Sequence, residues 1–375
     1  MTTDSSNKAH KAHKPDSKPR KQKQSHPSKN HGAVSRAASK AMDTMVPASE
    51  EAYTILFHGN CIDGWFSCYI AYTVLRKKGT LQMFPIATGQ PNTWPSAAVL
   101  NGTHILMVDV SVPEETRKHW IAKGARSILC IDHHATAIEQ WPAEHCPIHL
   151  ESCAAIQTWM HFYPSLEIPF WLYQIDRIDR WDQPTEDDRC IREILIKIAH
   201  KPVMKRLDQA IEMTETFIRE ASVHTGWLEN VEKGRLILEK KDEELRKILA
   251  AGYTVCLSET ECMAWQLPET WLGKIVYIID NTDQVFDSTE ASHLVFTHYP
   301  ETDIFVNYRK KSFYVGGKQN AMSENQKMIV YSVRSHGFPL TERTVFRGHS
   351  TSAGASLLVG KASCFPFLPI GSLFE

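Results

Sequence analysis

The chain has 375 residues, of which 42% are hydrophobic and 10% aromatic, enough for two globular domains and too many for one small module. Its formal charge of -1 is the balance of two opposed parts: residues 1–40 carry ten Lys/Arg against Asp4 and Asp16, and the other 335 residues sum to -9. That division excludes a uniformly basic nucleic-acid coat protein and leaves a basic arm on an acidic body.

The first 49 residues, rich in Lys, Ser and His, show neither the apolar core of a signal peptide nor a helical stripe, and they read as a disordered basic tail. Its histidines (His10, His13, His26, His31) can bind metal loosely, but a solvated low-complexity arm accounts for them better. Beyond it, YTILFH ends a short β-type run on His58, and from Gly64 the pattern WFSCYIAYTVLRKKG predicts a helix. Two further apolar runs, HILMVD (104–109) and SILCID (127–132), flank the amphipathic PEETRKHWIAKG. Strands apolar on both faces alternating with helices predict a parallel sheet covered by helices.

From about Ser152 to Leu249 the pattern is mostly helical, ending in a highly charged segment that reads as a connector. β-type runs then return with YTVCLS, KIVYIID, DIFVNYR, SFYVGG and KMIVYSVRS, and predict a second α/β domain. No run of eighteen apolar residues occurs, so no spanning helix is expected. Nine cysteines without a C-x-x-C pair suit a reducing compartment better than a disulfide framework or a structural zinc site. The expected location is intracellular, cytoplasmic or, with the lysine-rich arm as an import segment, nuclear.

The chemistry gathers where the first three apolar strands stop. His58 with Asp63 beyond it, Asp109, and Asp132 followed by His133 and His134 all fall at strand ends, and open parallel sheets bind ligands outside the carboxyl ends of their strands. Taken singly, Asp63 or Asp109 can be a helix cap or turn residue. Taken together, carboxylates and imidazoles in this number favour a divalent cation, with oxygen-rich ligation suiting Mn²⁺ or Mg²⁺.

These motifs resemble those of the DHH phosphoesterase family, named for Asp-His-His, which stands here as Asp132-His133-His134. HGNCIDG (58–64), VDVS (108–111), IDHHAT (131–136) and IDRIDRW (175–181) occur in the family's order. VYSVRSHG (330–337) and RGHSTSAG (347–354) resemble the arginine strand and glycine-histidine loop of its DHHA1 accessory domain. The resemblance spans roughly residues 52–360 and implies a DHH metal-binding catalytic domain at 50–200, a helical connector at 201–251 and a smaller α/β DHHA1-like substrate-binding domain at 252–375.

Carried over residue by residue, it implies metal ligation by His58, Asp63, Asp109, Asp132, His133 and Asp179, catalysis by Asp132, His133 and His134, and substrate binding by Arg334, Gly348, His349 and Ser350. Asp179 is preferred to Asp176 and Asp182 because the family places Trp two residues after its aspartate, as Trp181 stands here. Cys61 departs from the pattern, standing where many members have an aspartate, and is either a soft ligand or an inert buried thiol. The loop departs too, with the single Gly348 before His349.

The resemblance implies two Mn²⁺ ions, with Mg²⁺ as substitute, and hydrolysis of phosphodiester bonds in short oligonucleotides or small nucleotides. The acidic body argues against long nucleic-acid tracks. Two rival readings are a catalytically degenerate nucleotide- or protein-binding protein and a phosphatase of a small non-nucleotide metabolite. Further expected partners are non-specific nucleic acid for the basic tail and a second copy of the chain.

Overall fold

The computed structural model describes residues 51–87, 90–134, 137, 141, 151–181, 184–200, 206–280, 286–315, 324–337, 339–340, 344, 346–348, 352–358 and 366–367. The basic tail predicted for residues 1–49 lies outside the described residues, as do Asp182, His349 and Ser350. The protein is α/β, with a four-stranded all-parallel sheet, a six-stranded mixed sheet and, among the described residues, ten α-helices.

The first sheet is built from β1 (Glu51–His58), α1 (Ile62–Leu75), β2 (Gly79–Ile86), the short α2 (Ala97–Leu100), β3 (His104–Val108), α3 (Glu114–Ala122) and β4 (Ser127–Ile131), with strand order β2-β1-β3-β4. Alternate residues of one strand serve different cores. Ile55, Phe57, Leu106 and Val108 face the cluster formed with α1, whereas Leu56, Ile105 and Met107 face the cluster that contains Trp120 of α3. Both faces are therefore covered, which is why these strands are apolar throughout.

β2 is a strand that the sequence pattern does not predict. GTLQMFPI pairs with β1 along one edge only and is half-exposed, so polar residues and a proline are tolerated there and the apolar signal is diluted.

A helical layer follows: α4 (Ala154–Phe162), α5 (Phe170–Arg180), α6 (Glu186–Ala199), α7 (Leu207–Ala221) and α8 (His224–Leu249). Thr185 starts α6 with a capping box closed by Asp188. The charged α8 belongs to two cores: Trp227, Val231 and Leu238 pack with the first sheet's cluster, and Leu245 and Leu249 with Tyr277, Ile279 and Phe305 of the second sheet.

The second sheet contains β5 (Tyr253–Cys256), α9 (Glu259–Ala264), β6 (Ile275–Asp280), α10 (Ser288–His298), β7 (Ile304–Val315), β8 (Glu324–Ser335), β9 (Arg347–Gly348) and β10 (Ser352–Leu358), ordered β5-β6-β7-β8-β10-β9. DIFVNYR and SFYVGG, read separately in the sequence, join across the charged Arg309-Lys310-Lys311 into the single strand β7. Gly348 pairs with Ala353, and Ser352, the first residue of β10, with Arg334. The described cysteines are all free thiols, and no described helix is long and apolar enough to cross a membrane.

Candidate metal centre

Parallel pairing places three strand ends side by side. Phe57 stands opposite Val108 and Val108 opposite Ile131, so His58, Asp109 and Asp132 emerge from one edge. The chain turns sharply there: Asp109 adopts a left-handed backbone (φ 57°) and donates its N–H to Ile131 O at 2.9 Å, a conformation that Asp tolerates better than most side chains. The alternative reading of Asp109 as cap of the next helix is overturned, because Pro113 holds that position in α3.

The side chains then converge. Asp109 Oδ2 lies 3.3 Å from His58 Nδ1 and Asp109 Oδ1 3.3 Å from His133 Nε2. The same His133 nitrogen meets Asp179 Oδ2 at 3.4 Å and Asp63 Oδ2 at 3.7 Å. Asp132 Oδ1 accepts from the backbone N–H of His133 at 2.8 Å and lies 2.7 Å from His134 Nδ1. Potential donor atoms form three overlapping groups, His58–Cys61–Asp109, Asp109–His133–His134 and Asp63–His133–Asp179. Asp63, Asp109, Asp132 and His133 are buried, while His58 and His134 form the more open side.

Asp63 does not cap its own helix. It sits in the first turn of α1 and accepts from the Ala154 and Ala155 N–H groups at 2.8 and 2.7 Å. The N-terminus of α4 thus holds the carboxylate, a contact across 91 residues for which no local signal exists. Asp176 is occupied elsewhere, accepting from Cys153 N–H and Arg180, whereas Asp179, one turn further on, meets His133. Gly64 is required by close approach: a Cβ there would lie 2.4 Å from His58 O and 3.1 Å from Asp109 Oδ2.

Crowded carboxylates perturb one another. Burial, then the charges of Asp109 and Asp179, push Asp63 well above the usual carboxylate range. Burial also pushes Asp109 up, but hydrogen bonds from His133 and His58 outweigh it and hold Asp109 well below that range. For His133, burial opposes protonation and is overcome by Asp109, Asp63 and Asp179, which raise it to about 10. His134 rises to about 9 against burial through its bond to Asp132. Asp109 therefore depends on the neighbouring imidazoles for charge balance, and a divalent cation could replace their protons.

The donor set fits such an ion. It supplies hard carboxylate oxygens and imidazole nitrogens, and Asp132 Oδ2 is buried without a hydrogen-bond partner among the described residues, a condition that costs free energy unless a cation or water satisfies it.

Of the substrate residues expected, Arg334 and Gly348 lie near one end of the second sheet, on β8 and β9, with β10 between them. Arg334 is half-buried, donates only to Val333 O and Thr289 Oγ1, and pairs with no carboxylate within 4 Å among the described residues. Burial lowers its pKa to about 10.

The sequence pattern did not reveal the ionic junction between α6, α8 and α10. Arg189 of α6 binds Glu290 and Asp242 at 2.9 and 3.0 Å, and Arg192 binds Asp287 at 2.6 Å. Arg192 also stacks over Trp181, two residues after Asp179. Its charged positions resemble an ordinary solvated helix face, and only packing shows them buried.

No protein-family model matches the chain, and no curated protein matches it. Among solved structures it is similar to an uncharacterized protein from Helicobacter pylori, with 11% identity and TM-score 0.38 over 82% of this chain and 93% of that one. An exopolyphosphatase-related protein from Bacteroides fragilis matches at 12% and 0.38 over 86% and 91%. CDC45 from Entamoeba histolytica matches at 8% and 0.34 over 87% and 96%. Similarity of this order carries no assignment of activity, which must come from this chain's own residues.

Proposed function

We propose that the protein is a divalent-metal-dependent phosphoesterase of the DHH type that hydrolyses phosphodiester bonds in short oligonucleotides or small nucleotides. The observation that supports this reading is the convergence of His58, Asp63, Asp109, Asp132, His133, His134 and Asp179, drawn from three strand ends, α1 and α5, on one cluster. His58, Asp63, Asp109, Asp132, His133 and Asp179 would hold two Mn²⁺ ions, or Mg²⁺ in their place. Bound there, the metal supplies the Lewis acidity that activates water and neutralises phosphoryl charge.

The chain's own residues have separate tasks in this reading. Asp132 orients the ring of His134 through Nδ1, so His134 Nε2 is the atom that would donate to a phosphoryl oxygen. α4 fixes Asp63 through two backbone N–H groups, and Gly64 lets α1 close on His58 and Asp109. Arg334 would bind a substrate phosphate, for which a planar guanidinium offers paired donors; Gly348, His349 and Ser350 would complete that anchor. The proposed division is a catalytic domain at 50–200, a connector at 201–251 and a substrate domain at 252–375.

The test is hydrolysis of di- to pentanucleotides and a chromogenic nucleotide phosphodiester with Mn²⁺, with Asp132→Ala beside the wild type. Metal-dependent release of mononucleotide, lost in the variant, is expected. Full activity in Asp132→Ala would reject the proposed centre. Absence of turnover in a folded, metal-loaded protein would favour a degenerate binding protein or a small non-nucleotide substrate.

A further inference from the structure

Cys61 stands apart from the other described cysteines. Cys68 and Cys130 are core thiols whose sulfurs contact Met83 Sδ and Val110 O. Cys61 instead places Sγ within 4.8 Å of ligand atoms of both His58 and Asp109, and no other described cysteine stands in such a group. It is the N-cap residue of α1, yet its side chain makes no capping hydrogen bond, so the helix start does not account for the thiol.

Asp109, 1% exposed, spans two groups of donors: its Oδ2 faces His58 Nδ1 at 3.3 Å, and its Oδ1 faces His133 Nε2 at 3.3 Å. The 3.3 Å between His58 Nδ1 and Asp109 Oδ2 is a spacing that two donors bound at about 2.1 Å to one ion would give.

We propose that the two halves of this centre are chemically unequal, and that His58, Cys61 and Asp109 form a subsite for a borderline-soft divalent cation of the Zn²⁺, Co²⁺ or Fe²⁺ class, bound through a thiolate. The inference rests on the metal-centre reading above and refines it. One nitrogen, one sulfur and one oxygen make the donor set of a zinc-class site with an open position. Asp63, His133 and Asp179 offer two oxygens and one nitrogen, which suits a harder ion such as Mn²⁺. On binding, the Cys61 S–H proton leaves to solvent and the sulfur lone pair forms the metal–sulfur bond.

Cobalt reports the sulfur directly. Full-length protein, kept reduced with a non-chelating phosphine, is titrated with Co²⁺ and followed by absorption, beside Cys61→Ser and Cys61→Asp. Serine and aspartate are both favoured N-caps, so α1 should survive either change, with circular dichroism as the check. A near-ultraviolet thiolate-to-cobalt charge-transfer band is expected in the wild type and absent from both variants, whose weaker visible cobalt bands persist. Imidazoles of the tail cannot produce that band.

Competition should show Zn²⁺ affinity falling at least ~10-fold in Cys61→Ser, the smallest loss that removal of even an outer-shell partner usually causes. Cys61→Asp should shift preference toward Mn²⁺. Cobalt binding with the same spectrum in wild type and Cys61→Ser would overturn the thiolate subsite while leaving the metal centre standing. Failure of the wild type to bind Co²⁺, Zn²⁺ or Mn²⁺ would overturn both.

Discussion

Replacing Asp179 by asparagine should stabilise the metal-free protein and at the same time remove its response to metal. Burial, with Asp109 and Asp176 adding to it and His133 opposing, raises Asp179 from 3.8 to about 6. At ~1.4 kcal/mol per unit, ionised Asp179 costs the folded state at most about 3 kcal/mol at pH 7, and sharing of charge with His133 brings the expected figure to about 1–3 kcal/mol. For an acid whose folded pKa is raised, that cost is absent below pH ~4, grows between pH 4 and 6, and is complete above 6.

Asp179→Asn should therefore match the wild type near pH 4 and exceed it at pH 7 in chelator, by a Tm difference on the order of 5 °C. Among the described residues Asp179 Oδ2 accepts no hydrogen bond and meets only His133 Nε2 at 3.4 Å, so no bond there offsets the gain. With metal at a thousandfold excess over Kd, the wild type should gain about 4.1 kcal/mol, while the variant gains little, and their ranking inverts. Thermal unfolding at several pH values, with chelator and with Mn²⁺, reads all of this. A variant less stable than wild type in chelator at pH 7, or one with an undiminished metal response, would refute the reasoning.

Gly64→Ala should abolish metal-induced stabilisation with the fold retained, because the new Cβ must displace His58 and Asp109; calorimetric titration with Mn²⁺ is the measurement. Arg334→Ala should raise KM about 10- to 100-fold with kcat nearly unchanged, since losing a charge-assisted phosphate contact costs about 1.5–3 kcal/mol, and steady-state kinetics on a dinucleotide would check it. Arg189→Met should destabilise by about 3 kcal/mol, because Glu290 is wholly buried and, among the described residues, retains only Arg192 at 3.5 Å as a cationic partner. Chemical denaturation monitored by tryptophan fluorescence would measure that loss.

The chain's pattern was enough to mark the parallel sheet. β1, β3 and β4 are buried on both faces, so their apolar runs are unbroken and the residues that end them, His58, Asp109 and Asp132, stand out by position. β2 escaped notice because an edge strand needs no such run, and β7 was read as two pieces because its middle is charged. Which aspartates meet was legible only through the resemblance of the motifs to a known family, and not from local pattern. Asp176 and Asp179 lie on the same helix with similar neighbours, and only the rotation of α5 against His133 and Cys153 separates a group bonded to a helix terminus from one in the cluster.

The same limit applies to Asp63, held by the first turn of α4, and to the buried Arg189–Glu290 pair. Local sequence carries periodicity and the punctuation of strand ends, which follow from backbone geometry and the burial of apolar surface. The partners of a buried charge depend on electrostatic and steric terms between segments about a hundred residues apart, and those exist only after the helices have packed.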